Sequence, residues 1–159
     1  HAPRRAVRFL FCNEEHRPWT SITAAVRAKE RGDNLVAIFN IDSVGGKSAE
    51  DVAAGNKTNA TLYTEAEGER IADLMATVND HYGIGLQQQK VRRQQPGDDD
   101  GSFINAGFPH AIANIGSIPY GEPNYHLESD TPDHVDIENV VMATRASLAA
   151  GMWVDQDRV

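Results

Sequence analysis

Apolar and polar positions follow two different periods along this chain, and the changes of period predict alternating strands and helices. Short apolar runs at residues 6–12 and 35–41 are rich in β-branched and aromatic side chains, as buried strands are. Residues 20–31 carry apolar side chains at helical spacing, which predicts a helix. Residues 64–83 open with capping-box spacing and continue with a helical apolar stripe, which predicts a second helix.

The second half of the chain has weaker patterns. Leu86 to Val91 and His110 to Ile115 are predicted to form strands, although three glutamines weaken the first pattern. The pair Thr131–Pro132 has the residue types of an N-cap and first helical turn, so a long helix is predicted after it. Strands that alternate with helices predict a three-layer αβα domain, an α/β fold with a mostly parallel sheet.

Two polar or aperiodic segments are predicted to be loops. Residues 43–63 are rich in small and polar residues, and we expect a long loop there with a short helix inside it. Residues 94–101 contain a proline, two glycines and three consecutive aspartates at 98–100. We expect these aspartates to form a solvated acidic loop, because runs of like charge usually face water.

Length and charge narrow the classes of function. A chain of 159 residues suffices for one domain with a hydrophobic core. It has 15 Lys and Arg against 23 Asp and Glu, a net charge of -8, which argues against nucleic-acid binding. No run approaches the ~20 apolar residues that cross a bilayer. The basic start, residues 1–5, is not followed by the apolar core of a signal peptide.

Candidate chemistry is concentrated where the predicted strands end. Glu14–Glu15 follows the first apolar run, Asp42 follows the second, and Tyr125–His126 lies in a turn-rich stretch. Ligands of open α/β sheets collect at the carboxyl ends of the strands. Glutamate, aspartate and histidine are ligands that zinc accepts, and a second glutamate beside a ligand can remove a proton from water. The alternatives are solvated loop acids, an aspartate that caps its loop and a hydrogen-bonded loop histidine.

These residues belong to sequence blocks with a recognisable order. The sequence resembles the C-terminal half of the zinc aminopeptidases of metallopeptidase family twenty-eight, of the aminopeptidase-Y and bacterial leucyl-aminopeptidase type. The matching blocks follow the family's order over nearly the whole chain and comprise Arg8–Glu15, Trp19–Ser21, Asn40–Gly45, Asp98–Phe103, Ala106–Pro109 and Tyr125–Asp133.

The resemblance implies a fold, an activity and site residues. The fold is the phosphorylase/hydrolase-like fold of zinc exopeptidases, and the activity is hydrolysis of the N-terminal peptide bond of a peptide substrate. Glu14 corresponds to the general base that activates water, and Tyr125 to a donor that stabilises the oxyanion. Glu15 and His126 correspond to ligands of one zinc ion, and Asp42 to a ligand of the second. Two zinc ions are expected in a complete site.

The resemblance also implies what the chain lacks. The family has an upstream His-x-Asp block and a bridging Asp, and neither occurs here, so we expect residues 1–159 to be one domain, the C-terminal part of a catalytic domain incomplete at its N-terminus. Zinc binding should then be partial or absent. A sheet without its first strands exposes an edge, so we expect self-association or pairing with a polypeptide that supplies the missing half. Within the block Asp98–Phe103, Asp100 stands where the family that the chain resembles usually has a histidine.

Two other functions stay open at this point. One is an inactive or incomplete peptidase-like domain that serves binding or assembly. The other is a glutaminyl-cyclase-like acyltransferase, an enzyme class that shares the Glu-Glu pair and the late histidine but uses one zinc ion. Relatives in the family that the chain resembles are often exported, so the resemblance is compatible with a periplasmic or extracellular location, and the sequence itself leaves the compartment open.

Overall fold

One four-stranded sheet organises the chain, which a computed structural model describes for residues 2–13 and 17–158. The strands are β1 (Ile38–Ile41), β2 (Thr58–Tyr63), β3 (Gln87–Arg92) and β4 (Ala111–Ile115), in the spatial order β1-β4-β2-β3. The pairs β1 with β4 and β2 with β3 are parallel, whereas β2 and β4 are antiparallel. The predicted α/β class with a mostly parallel sheet is confirmed.

Helices cover both faces of this sheet and complete three layers. They are α1 (Thr20–Glu30), α2 (Ala49–Ala54), α3 (Ala66–His81), α4 (Asp98–Asn105) and α5 (Ile137–Asp155), with a short 3-10 turn at Pro132–His134. α1 packs with α4 on one face, and α3 packs with α5 on the other. Within residues 2–13 and 17–158, none of the helices has the length and apolar character that crossing a bilayer requires.

The larger part of the core lies between the sheet and α3. The stripe predicted on this helix is buried, with Ile71, Met75 and Val78 packed against Ile112 of β4. Removing such a side chain from water stabilises the fold by roughly 1.5–3 kcal/mol. The predicted capping box is wrong, because Glu65 is the N-cap residue of α3 and its side chain makes no capping hydrogen bond.

The first apolar run does not form the buried strand predicted at residues 6–12. Phe9 and Phe11 are 85% and 91% exposed, and this segment is not paired with any strand of the described sheet. Arg8 forms an ion pair with Asp33, and the main-chain nitrogen of Arg5 donates to Asp155 at 2.7 Å. The prediction failed because apolar character alone does not supply the neighbouring strand that buries a run.

Strand β2 lies inside the segment predicted to be a loop. All six of its residues are buried although half of them are polar. Thr61 Oγ1 donates to Asn114 Oδ1 at 2.9 Å, and Thr58 Oγ1 donates to the Gly116 carbonyl at 2.7 Å. Hydrogen bonds of this kind let polar side chains occupy a central strand, so the absence of an apolar run was misleading. The short helix expected in this segment is α2.

The three consecutive aspartates do not form a solvated loop. They make the first turn of α4, where carboxylates favour the positive end of the helix dipole. Asp100 is fully buried and forms an ion pair with Arg93, which also bonds Asp98 at 2.8 Å. Burial raises the pKa of Asp100 to about 6, because desolvation outweighs the attraction of the Arg93 guanidinium.

The last helix begins later than the sequence pattern predicts. Thr131 and Pro132 open only the 3-10 turn, and Asp136 is the N-cap residue of α5. The Asp136 carboxylate accepts a hydrogen bond from the main-chain nitrogen of Asn139 at 3.0 Å. The correction matters for the site, because Asp136 also bonds the loop that follows β1.

Candidate active site

Two parallel neighbouring strands end at the same edge of the sheet, and a predicted site residue follows each of them. Asp42 comes directly after β1, and the loop of residues 116–131 comes directly after β4. The main-chain nitrogen of Asp42 donates to the Asn114 carbonyl at 2.9 Å, which extends the ladder by one bond. Asp42 therefore has a main-chain position determined by the sheet, at the carboxyl edge where α/β proteins bind ligands.

The residue after Asp42 orients its carboxylate. Ser43 Oγ donates to Asp42 Oδ1 at 2.8 Å, whereas Oδ2 accepts no hydrogen bond from the described residues. Ser43 has a left-handed backbone with φ of 48°, and its carbonyl accepts from the nitrogens of Gly46 at 3.3 Å and Gly116 at 3.1 Å. Asp42 is thus held in a tight turn that leaves one carboxylate oxygen available to a ligand.

Tyr120 joins the loop of residues 116–131 to this turn, and ring contacts connect Tyr120 to Tyr125 and His126. The Tyr125 ring stacks on the His126 imidazole with centroids 4.0 Å apart, and meets the Tyr120 ring edge-on at 5.0 Å. Tyr120 packs on the main chain of Gly46 so closely that a Cβ there would lie 2.3 Å from its hydroxyl oxygen. The structure thus brings the predicted residues Asp42, Tyr125 and His126 into adjacent loops.

Tyr120 is a candidate site residue that the sequence reasoning missed. Burial raises the pKa of its phenol, the carboxylates of Glu122, Asp130 and Asp42 add to the rise, and a hydrogen bond with Ser43 opposes it. The phenol therefore stays protonated and lies beside the Asp42 turn as a potential hydrogen-bond donor. The strand-end rule could have found it, since Tyr120 lies in the loop that leaves β4.

A cavity of about 220 Å³ lies between the two loops. Its wall combines aromatic with charged side chains, namely Tyr120, Tyr125, Glu122, Asp130 and His134. His134 Nδ1 shares a hydrogen bond with the Asn124 amide at 2.7 Å, and Glu122 accepts from the Asn124 main chain at 2.8 Å. A small cavity with two carboxylates suits a ligand that carries a positive charge.

The predicted metal site is described only in part. Glu14 and Glu15 lie outside the described residues. Within residues 2–13 and 17–158, no three side chains of His, Cys, Asp or Glu cluster closely enough to hold a metal ion. Asp42 and His126 carry donor atoms that zinc accepts, but a catalytic zinc ion takes about three protein ligands. These two residues fit as part of a ligand set and do not complete one.

The family of the chain follows from its sequence. The model of peptidase family M28 matches residues 1–151, and the chain belongs to this family. The resemblance recognised from the sequence blocks is therefore confirmed, and the chain is related to peptidases. No curated protein sequence matches it significantly.

Solved structures agree with the fold. The chain is similar to the crystal structure of LapA from Legionella pneumophila, with a TM-score of 0.68 and 20% identity over 82% of this chain and 34% of that one. A second structure, of the LapA aminopeptidase of Legionella pneumophila, gives 0.66 and 20% identity over 86% of this chain and 35% of that one. At this identity the likeness shows the fold, and the chain spans about a third of the length of each structure.

Proposed function

We propose that this chain is part of an aminopeptidase catalytic unit that hydrolyses the N-terminal bond of peptides with the help of bound zinc. The observation that carries the proposal is the packing of the Asp42 turn against the loop of Tyr125 and His126 at the carboxyl edge of the sheet. Membership of a peptidase family gives the class of reaction.

Each residue then has a defined task. Glu15 and His126 would hold one zinc ion and Asp42 would bind a second, and bound zinc would lower the pKa of water and polarise the scissile carbonyl. Glu14 takes the proton of the attacking water and passes it to the leaving amine as the C–N bond breaks. The Tyr125 phenol donates a hydrogen bond to the oxygen that becomes negative.

The cavity beside this site receives the end of the substrate. Its carboxylates, Glu122 and Asp130, attract the α-ammonium group of a peptide, which is the feature that distinguishes an N-terminal bond from an internal one. A cavity of about 220 Å³ has room for one residue.

A second candidate function is an incomplete domain that binds or assembles without catalysis. It is favoured by the lack of three converging metal ligands within residues 2–13 and 17–158. In this case the Asp42 turn and the aromatic loop form a peptide-binding surface, and hydrolysis requires ligands supplied by another polypeptide.

The two candidates are separated by an assay of the zinc-treated chain with leucine p-nitroanilide. We expect Glu14→Gln to lower cleavage by roughly 10²–10⁴-fold, because a general base is lost, while the bound zinc stays the same. Glu30→Gln is the matched control, since Glu30 is exposed at the end of α1. Zinc uptake without cleavage by the unaltered chain favours the second candidate, and cleavage that survives Glu14→Gln overturns the assigned base.

A further inference from the structure

A lysine with almost no access to solvent lies five residues after Asp42. The Lys47 side chain is 1% exposed, and its ammonium group forms an ion pair with Asp136. The ammonium also donates to the Asn56 carbonyl at 2.6 Å. Buried lysines are rare, because an ammonium group loses its hydration and must be compensated by paired groups. This unfavourable burial occurs in the loop that follows the candidate metal ligand Asp42.

Asp136 connects this lysine to the rest of the fold. Its carboxylate also accepts from Lys57 at 2.9 Å and caps α5 through the Asn139 nitrogen. Burial by itself raises the pKa of Asp136, but the hydrogen bonds from Lys47, Lys57 and the Asn139 main chain hold it below its usual range. The carboxylate is therefore ionised at neutral pH, and both lysines remain paired.

Asp136 and Asn139 also form hydrogen bonds with the main chain of the loop after Asp42. The main-chain nitrogen of Asp136 donates to the Gly45 carbonyl at 3.1 Å, and the Asn139 side chain accepts from the Gly45 nitrogen at 3.1 Å. Asn139 Nδ2 donates in turn to the Thr58 carbonyl at 2.7 Å. The loop after Asp42 is thus fastened to the start of α5 and to the start of β2.

Close contacts around the loop after Asp42 restrict its conformation. A Cβ on Gly45 would lie 2.7 Å from Val140, and a Cβ on Gly116 would lie 1.8 Å from the Gly46 carbonyl oxygen. The chain passes through this point only with glycine at these positions. Close packing of this kind transmits a displacement of the loop to its neighbours, including the Asp42 carboxylate.

We propose that Lys47 and Asp136 are positioning residues, which hold the turn of residues 42–46 so that the Asp42 carboxylate faces the candidate metal site. The role rests on the proposed function, because the orientation of the Asp42 carboxylate matters only if it binds a metal ion. Neither residue lines the cavity between the two loops. Outer partners that orient a metal ligand typically change metal affinity by about 10–100-fold when they are removed.

The test compares Lys47→Met with Lys57→Met in the full chain. Both variants remove one positive charge that pairs with Asp136, but Lys57 lies before β2, outside the loop, and is 25% exposed. We expect Lys47→Met to speed amide hydrogen exchange at Gly45, Gly46 and Gly116 by roughly tenfold or more through local opening. The α3 amides should keep their exchange rates, and Lys57→Met should leave the three glycines nearly unchanged.

A zinc titration of the same two variants adds the functional readout. We expect Lys47→Met to weaken zinc binding by about tenfold or more, and Lys57→Met to weaken it far less. Equal exchange at the glycines in both variants overturns the positioning role, and so does unchanged zinc affinity in a Lys47→Met protein whose loop has loosened. If the unaltered chain takes up no zinc, the proposed function fails, while the exchange comparison still decides whether the ion pair holds the turn.

Discussion

The buried Asp100 of α4 should make the stability of the fold depend on pH. Burial raises the pKa of Asp100 from its usual value to about 6 despite the ion pair with Arg93. The folded state therefore binds a proton at this site more tightly than the unfolded chain does. Stability that depends on Asp100 is fully present below a pH of about 4 and is lost as the pH rises through about 6.

The magnitude follows from the size of the shift. A rise from 3.8 to about 6 corresponds to about 3 kcal/mol, at 1.36 kcal/mol for each pKa unit. Asp100→Asn places a neutral group of nearly the same shape in the site and removes the cost of burying a charge. Arg93 keeps Asp98 as a partner at 2.8 Å. We expect the difference in stability between the variant and the unaltered chain to increase in favour of the variant by about 3 kcal/mol as the pH rises from 4 to 7.

Urea unfolding at a series of pH values measures this difference directly. The matched control is Asp98→Asn, which removes a carboxylate bonded to the same arginine from a side chain that is 46% exposed. The control difference should change with pH by no more than about 1 kcal/mol, because a solvated ion pair contributes little. A difference between Asp100→Asn and the unaltered chain that is the same at pH 4 and pH 7 would refute the reasoning.

Two further predictions concern the surface and the core. Replacing Phe9 and Phe11 by serine should lower the apparent mass in sedimentation velocity, because these rings are 85% and 91% exposed and offer an apolar contact to another chain. A strictly monomeric unaltered chain at micromolar concentration contradicts this expectation. Met75→Ala should destabilise the fold by about 2–5 kcal/mol in thermal or urea unfolding, because it leaves a cavity in the fully buried core. The control Met152→Ala, at a position 49% exposed, should cost far less, and equal losses would show that Met75 lacks the packing described.

Local patterns predicted the elements that obey them. The helices α1 and α3 and the strands β3 and β4 lie where periodicity and turn residues placed them. β2 was missed because its polar side chains form hydrogen bonds that only the folded sheet supplies, such as that between Thr61 and Asn114. The run at residues 6–12 was predicted to be buried because the sequence does not show whether a neighbouring strand is present.

The candidate site was predictable where position along a strand decides it. Asp42 was found from the end of an apolar run, and its place at the carboxyl edge of the sheet is confirmed. Tyr120 was missed although it follows β4, because its contact with the Asp42 turn depends on how the loop after β4 folds back. The role of Lys47 could not be predicted from local sequence, because its partner Asp136 lies 89 residues away in the chain. The assignments of Glu14 and Glu15 stay predictions.

The central claim is that Asp42 and His126 belong to one metal centre, in which His126 and Glu15 bind one zinc ion and Asp42 binds the other. An NMR titration of the chain with zinc, followed at the His126 imidazole, tests this directly. We expect the His126 resonances to shift on zinc addition, and we expect Asp42→Asn to weaken that shift while Asp133→Asn, a change at an exposed aspartate, leaves it intact. The proposed site would be contradicted if the His126 resonances did not shift on zinc addition. It would also be contradicted if they shifted equally in the Asp42→Asn variant.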